Sequence, residues 1–134
     1  AVTGDREEQK VRYEKALSML KKGEYTQAAE AFEHYLADYP EGSYAGDATY
    51  NLGQACYFLQ DHEQAMAMFS KLIDSYPQSP MQASARFFIG TLHYQNQEWK
   101  TAREKLYRVV TDYPESIPAQ LAENRLRDMR QNGH

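Results

Sequence analysis

The side chains that could bind a metal ion are few in this sequence, and their spacing does not suit the task. The four histidines are His34, His62, His93 and His134, and no pair has the HxxH, HxxxH or HExxH spacing of zinc ligands. The single cysteine, Cys56, excludes both an internal disulfide and a CxxC motif. We therefore predict neither a metal site nor a bound cofactor.

Motifs for covalent or phosphate chemistry are also missing from the sequence. It contains no GxSxG, Walker A or GxGxxG pattern. The adjacent carboxylates Glu7 and Glu8 lie near the start of the chain, where we expect a frayed end. Cys56 and His93 occupy equivalent places in the repeat described below, which predicts packing roles for both. We predict that the protein is not an enzyme.

Length and composition place the chain among globular domains that carry other functions. Its 134 residues suffice for one domain, and 42% of them are hydrophobic. The net charge of −4 disfavours a nucleic-acid binder, which would usually be basic. No apolar run approaches the roughly 18 residues of a membrane span. Residues 1–5 lack the features of a signal peptide, so we expect any export signal to have been removed already.

The strongest pattern is an internal repeat with a period of 37 residues. Tyr-Pro occurs three times, at 39–40, 76–77 and 113–114. The same step relates small residues (Ala28, Ala65, Ala102; Ala16, Gly53, Gly90) and large ones (Phe32, Phe69, Leu106; Leu36, Ile73, Val110; Tyr13, Tyr50, Phe87). Such a register over three copies indicates stacked repeats.

Within each copy the hydrophobic spacing is helical. Ala65, Phe69, Leu72 and Ile73 form one stripe of a helix, and the other two copies repeat it. A polar turn precedes this second helix, and the proline after tyrosine ends it. We predict no strands and seven helices, near 6–22, 26–38, 44–59, 63–75, 81–96, 100–112 and 117–130.

Several local signals refine these helices. Asp61 followed by Gln64 predicts a capping box, and Ser79-Pro80 predicts an N-cap and first helical residue. The small residues at Ala16, Gly53 and Gly90 predict a close approach to Ala28, Ala65 and Ala102. In the last helix the expected inner stripe is Leu121, Ala122, Leu126 and Met129.

These helix pairs resemble tetratricopeptide (TPR) repeats. Leu52-Gly53 followed by Tyr57, Ala65, Phe69 and Pro77 is similar to the TPR pattern, whose usual period is 34 residues. We therefore predict an all-α fold: three TPR-type helix-turn-helix repeats and a C-terminal capping helix in a right-handed solenoid. The expected boundaries are a linker tail at 1–10 and a TPR domain at 11–130. Its repeats lie at about 11–43, 44–80 and 81–117, its capping helix at 117–130, and a tail at 131–134.

The linkers resemble one TPR family in particular, the periplasmic YbgF/CpoB family of the Tol-Pal system. The matching segments are 39–44 with 48–54, 76–80 with 85–90, and 113–116 with 125–129. The BamD-like outer-membrane assembly lipoproteins share the extended repeat and are the second resemblance.

The first resemblance implies a non-enzymatic adaptor in the bacterial periplasm, after removal of a signal peptide. It implies TolA and the peptidoglycan-synthesis machinery as partners. In that family an N-terminal coiled coil trimerises the protein. This chain has no room for the coiled coil, so we expect the domain itself to be a monomer or a weak oligomer.

A TPR binds its partner in the concave groove lined by the first helix of each repeat. Chaperone-type TPRs hold a C-terminal carboxylate there with Lys, Arg and Asn, but this sequence keeps only the Asn. Aromatic and amide side chains instead predict an extended or helical protein segment as the ligand. The predicted groove set comprises Tyr13, Leu17, Tyr50, Asn51, Gln54, Phe58, Phe87, Phe88, Thr91 and Gln95.

Other interpretations stay open at this stage. Each of the groove tyrosines could instead be a core residue, and Tyr57 and Tyr94 fit the core better than the groove. A basic C-terminal third (Lys100, Arg103, Lys105, Arg108, Arg125, Arg127, Arg130) could meet an acidic partner or be a solvated helix face. The alternative functions are a scaffold subunit of an outer-membrane protein assembly complex and a general peptide-binding TPR protein.

Overall fold

A computed structural model describes residues 6–134, and this part of the chain contains seven helices and no β-strand. Every bound lies within one residue of its predicted position, which confirms the all-α prediction. The helices are α1 (Arg6–Lys21), α2 (Tyr25–Asp38), α3 (Ala45–Phe58), α4 (His62–Ser75), α5 (Gln82–Gln95), α6 (Trp99–Asp112) and α7 (Ile117–Gln131).

The chain divides into two compact units. The first ends at Ser79 and contains α1 to α4, where each helix packs on the next and α1 also touches α3. The second, Pro80–His134, contains α5 to α7, where α6 packs on both neighbours and α5 touches α7. The division lies at the border between the second and third repeats proposed from the sequence.

The three Tyr-Pro pairs end the second helix of each repeat, as predicted. Tyr39, Tyr76 and Tyr113 are the C-caps of α2, α4 and α6, with φ angles of −132°, −128° and −134°. Each tyrosine N–H still bonds to the helix, at Tyr35 O, Leu72 O and Val109 O respectively. Proline disfavours helical geometry in the residue before it, and the helix stops there.

The turns between paired helices share one backbone geometry. Gly23, Gln60 and Gln97 have φ angles of 82°, 63° and 61°, and they lie 37 residues apart. This left-handed conformation is common just after a helix, where glycine adopts it without steric cost. Two of the three repeats have glutamine at this position instead. The turn therefore keeps its geometry in every repeat without requiring a glycine.

The predicted hydrophobic stripes form the core. Ala65, Phe69 and Leu72 are fully buried, while Ile73 is only partly buried. The equivalent residues behave alike: Ala28, Phe32 and Tyr35 in α2, and Ala102, Leu106 and Val109 in α6.

The close approach at the mid-helix glycines is present, but its partners differ from those predicted. A Cβ atom at Gly53 would lie 2.8 Å from Phe69 Cε1, and one at Gly90 would lie 2.8 Å from Leu106 Cδ2. The nearest atoms thus belong to these large side chains rather than to Ala65 and Ala102. A side chain one turn further along the second helix fills the space that each glycine leaves.

Two predicted caps need correction. Asp61 Oδ1 accepts from the Gln64 N–H at 3.3 Å, but the Gln64 side chain donates to Glu33 Oε2 at 3.0 Å. Only half of the capping box therefore forms. The N-cap of α5 is Met81, so Ser79 and Pro80 both precede the helix. The Ser79 N–H instead closes a turn on Tyr76 O.

Three of the four inner residues predicted for α7 face the core, and one does not: Ala122, Leu126 and Met129 do, and Leu121 does not. Ala119, Ala122 and Met129 are fully buried, whereas Leu121 is 46% exposed. Leu121 is wrong as an inner residue because a stripe at 119, 122, 126 and 129 already satisfies helical spacing. Residues 6–10 of the predicted linker form the first turns of α1, and residues 1–5 lie outside the described part.

Candidate functional site

The predicted groove set is distributed over both units. Tyr13, Leu17, Tyr50, Asn51, Gln54 and Phe58 lie on α1 and α3 of the first unit, and Phe87, Phe88, Thr91 and Gln95 lie on α5 of the second. Their exposure varies widely. Tyr13, Tyr50, Asn51 and Thr91 are buried, Leu17, Gln54, Phe87 and Phe88 are partly buried, and Phe58 and Gln95 are exposed.

Tyr13 and Asn51 form a buried polar pair that joins α1 to α3. The Asn51 Nδ2 donates to the Tyr13 hydroxyl at 2.8 Å, and the ring of Tyr13 stacks on that of Tyr44 at 4.8 Å. Burial raises the pKa of Tyr13 to about 12, and the negative charge of Asp47 adds to the shift. Both side chains are therefore committed to the scaffold, since they hold the first helices of two repeats together.

One stripe of α3 remains accessible beside this pair. It consists of Asp47, Asn51, Gln54 and Phe58, which follow each other at helical spacing; we call it the α3 stripe. Asn51 is buried within it, Asp47 and Gln54 are partly exposed, and Phe58 is 48% exposed. Most other positions of α3 are buried, so this stripe provides most of the surface of α3 that a partner can contact.

Asp47 is the residue of this stripe that the sequence analysis missed. It lies in the first turn of α3, one helical turn before Asn51. Burial raises the pKa of the Asp47 carboxyl above its ordinary value. Extending the spacing of Asn51 and Gln54 backwards by four residues would have found it.

Phe58 belongs to an aromatic cluster at the end of the stripe. Its ring stacks on Tyr25 with centroids 4.9 Å apart and meets the edge of Tyr57 at 5.5 Å. The neighbouring Leu59 is 42% exposed. These contacts hold an apolar side chain in place at the surface, which favours contact with an apolar group of a partner.

The second unit presents a different set on α5. The rings of Phe87 and Phe88 meet edge to face at 6.1 Å, and Phe87 packs against the core of this unit. The Thr91 hydroxyl is buried and has no hydrogen-bond partner among the described residues. Exposed Gln95 lies at the end of the helix. This face is more apolar than the α3 stripe.

The side chains that could do chemistry are dispersed in the structure. Within residues 6–134 no group of three His, Cys, Asp or Glu side chains could hold a metal ion. His93 Nδ1 lies 2.8 Å from Glu98 Oε1, which lowers the pKa of Glu98. Cys56 is buried, and burial raises the pKa of its thiol to about 11, which disfavours the reactive thiolate.

Several cations of the C-terminal third are engaged within their own unit. The Arg125 guanidinium lies 4.7 Å from the ring centre of Tyr94, which is also edge-on to Trp99. Arg108 pairs with Asp112 at 3.4 Å, and Arg103 donates to the backbone oxygen of His134. His134 in turn stacks on Trp99. Tyr94 also packs against the core of this unit, as predicted.

None of the helices between residues 6 and 134 combines the length and the hydrophobicity that a membrane span requires.

Solved structures with a similar fold are TPR domains. The Arabidopsis OM64 TPR domain superposes with a TM-score of 0.75 at 20% identity, covering 92% of this chain and 97% of that one. The first TPR of Spaghetti (RPAP3), solved bound to the HSP90 peptide SRMEEVD, superposes with a TM-score of 0.72 at 22% identity, covering 96% and 94%. At these identities the likeness shows the fold alone, and it confirms the TPR solenoid.

Sequence comparison finds similarity to one bacterial protein and to one protein family. Over 51 residues, 38% of this chain, the sequence is 37% identical to the "Cell division coordinator CpoB" of Pseudomonas putida. The matched segment spans only 19% of that relative's length. The profile of a family described as "YfiO: Outer membrane lipoprotein" matches residues 5–132. This match covers almost the whole sequence and confirms the resemblance to the outer-membrane lipoproteins. The local identity to CpoB confirms the resemblance to that family. The chain is a TPR domain that belongs to the YfiO outer membrane lipoprotein family.

Proposed function

We propose that this domain is a non-enzymatic adaptor of the bacterial cell envelope that binds a segment of a partner protein on the first helices of its repeats. The observation that carries the proposal is the α3 stripe, where Gln54 and Phe58 are accessible beside a buried Tyr13–Asn51 pair. A rigid support below adaptable polar and aromatic contacts suits recognition of a peptide segment.

The proposed location and partners of this domain are inferred from its relatives. The likeness to a cell division coordinator supports a role in cell division, with a periplasmic location after signal-peptide removal. By the same resemblance, TolA and the peptidoglycan-synthesis machinery are the proposed partners. The boundaries given above for the repeats, and a trimer formed by a coiled coil in a longer protein, are parts of the same proposal.

The ligand differs from the one bound by the Spaghetti domain. That domain was solved with the acidic peptide SRMEEVD. Here the α3 stripe contains a carboxylate, two amides and an aromatic ring, and no cation. An acidic C-terminal peptide would meet like charge at Asp47, which disfavours it as a ligand.

Titration of the purified domain with the periplasmic part of TolA, followed by isothermal calorimetry, tests the proposal. We expect saturable binding that Phe58→Ala weakens by about 1–3 kcal/mol, because an accessible aromatic anchor is lost. Tyr107→Ala is the matched control, since Tyr107 is a 60% exposed aromatic residue on α6. Equal affinity of Phe58→Ala and the parent would remove the α3 stripe from the proposed interface.

A second candidate function is a scaffold subunit of an outer-membrane protein assembly complex. The match to the outer membrane lipoprotein family favours it. Such a subunit would use the ends and outer face, where Ile117 and Leu121 of α7 are 72% and 46% exposed. Under this alternative, Ile117→Asp with Leu121→Asp would abolish co-purification with the assembly complex, while Phe58→Ala would leave it unchanged.

A further inference from the structure

Asp47 is a carboxylate that the domain itself leaves without a counter-charge. No hydrogen bond or ion pair links it to another residue between positions 6 and 134. It is nevertheless partly buried. Withdrawing a charge from water without a partner costs free energy, so such a group gains from a cation supplied from outside.

Burial is the one cause that shifts the pKa of Asp47, so no cation among the described residues acts on it. The Tyr13 hydroxyl oxygen already accepts from Asn51, and the charge of Asp47 acts on this hydroxyl. The side chain of Gln54, two turns further along α3, makes no hydrogen bond with the described residues and has an amide oxygen available. The carboxylate oxygens of Asp47 suit the N–H groups of a lysine or arginine side chain, and the Gln54 amide can accept a hydrogen bond from the same segment further along the stripe.

The charge of the whole first unit favours the same class of partner. Residues 6–79 contain 12 acidic and seven basic side chains. An excess of negative charge steers a basic segment towards this unit.

The other end of the stripe sets a second requirement. Phe58 lies 11 residues after Asp47 on the same helix face, which is roughly 16 Å at the helical rise per residue. An extended segment covers that distance in about four to five residues, and a helical one in about eleven. Apolar Phe58 and Leu59 at this end suit an apolar side chain.

From these observations we propose that the α3 stripe binds a protein segment with a lysine or arginine at Asp47 and an apolar side chain at Phe58. This inference rests on the proposed function, and it adds the chemistry of the ligand. The cation pairs with the Asp47 carboxylate. The apolar side chain packs on Phe58 and so fixes the register of the segment along α3.

Selection of a random dodecapeptide display library against the purified protein tests the inference. Parallel selections use the parent, Asp47→Asn and Asp74→Asn, the last being a matched control because Asp74 is an exposed carboxylate on α4. We expect the parent and Asp74→Asn to enrich a basic residue at a fixed spacing from an apolar one. Asp47→Asn should keep the apolar residue and lose the basic one.

Fluorescence polarisation with the leading synthetic peptide gives the magnitude. Asp47→Asn should weaken binding roughly 10-fold to 100-fold, the range expected for a charge-assisted contact. Changing the basic residue of the peptide to glutamine should weaken binding to the parent equally, and have little further effect on Asp47→Asn. The peptide change keeps the test valid even if the protein variant were to misfold.

The outcomes separate the two proposals. Enriched peptides without a basic residue, or equal affinity of the parent and folded Asp47→Asn, would overturn the inference and leave the adaptor proposal standing. If the folded parent binds neither peptides nor TolA, both proposals fall.

Discussion

The amide nitrogen of Asn51 donates a 2.8 Å hydrogen bond to the hydroxyl of Tyr13, and this bond joins α3 to α1 across 38 residues. Both side chains are less than 10% exposed. An amide that the repeat pattern placed in a binding groove is thus a structural link between two repeats. It shapes the surface beside it by fixing how α1 and α3 lie together.

Loss of this bond should destabilise the first unit. Asn51→Ala is expected to lower the free energy of unfolding by about 1–3 kcal/mol, because the Tyr13 hydroxyl is left buried with one partner fewer. Urea denaturation followed by circular dichroism measures the change. Gln54→Ala, at the next position of the α3 stripe, is the control and should stay within about 0.5 kcal/mol of the parent. Equal midpoints for both variants would contradict the structural role of Asn51.

Gly53 should tolerate no side chain. A methyl group there would lie 2.8 Å from the ring of fully buried Phe69, so Gly53→Ala should cost about 1–3 kcal/mol by overpacking. The double variant Gly53→Ala with Phe69→Leu should be less destabilised than the sum of its single changes, because the smaller side chain makes room. Thermal melts of the four proteins give this coupling. Additive losses would show that the two residues do not compete for space.

Glycine should be better than glutamine at two of the three repeat turns. Gln60 and Gln97 have positive φ angles, a conformation that costs a residue with a Cβ atom about 1–2 kcal/mol. Glycine loses part of that gain to its greater freedom in the unfolded chain. Gln60→Gly and Gln97→Gly should therefore each stabilise by about 0.5–1 kcal/mol, measured by chemical denaturation.

The reverse change provides the control for these turns. Gly23 has a φ angle of 82° at the equivalent place, and open space surrounds the position of a Cβ atom there. Gly23→Gln should thus be destabilising through its backbone alone. A stabilised Gly23→Gln variant would show that the turn relaxes when its residue changes.

The charge of Asp47 should oppose folding at neutral pH. Because burial raises its pKa in the folded state, the stability linked to this group is complete below the ordinary value of 3.8. That stability is lost as the pH rises through the folded-state pKa. Asp47→Asn should therefore melt at a higher temperature than the parent at pH 7, and the difference should vanish towards pH 3.8.

Differential scanning calorimetry across this pH range checks the sign. Asp74→Asn, which removes one exposed carboxylate on α4, is the control for the loss of a negative charge. A lower melting temperature for Asp47→Asn at pH 7 would mean that the favourable interaction of a carboxylate with the first turn of a helix outweighs its burial.

The elements of this protein are determined by its sequence. The 37-residue step, the helical stripes and the Tyr-Pro pairs are local or periodic features, and each acts through backbone geometry or the spacing of side chains along one helix. For this reason the bounds of all seven helices, and the buried set that includes Phe32, Phe69 and Leu106, could be predicted from the residues alone.

Tertiary structure decides which hydrogen-bond partners the polar side chains find. The sequence placed Asn51 and Gln54 together, yet only the packing of α1 on α3 brings the Tyr13 hydroxyl within reach of one of them. Likewise Gln64 leaves its own helix end for Glu33 on α2. A hydrogen bond depends on the distance between two atoms far apart in the chain, and no spacing within one helix specifies that distance. The spacing along α3 places Asp47 in the stripe, but its burial and its lack of a counter-charge exist only once α3 is packed.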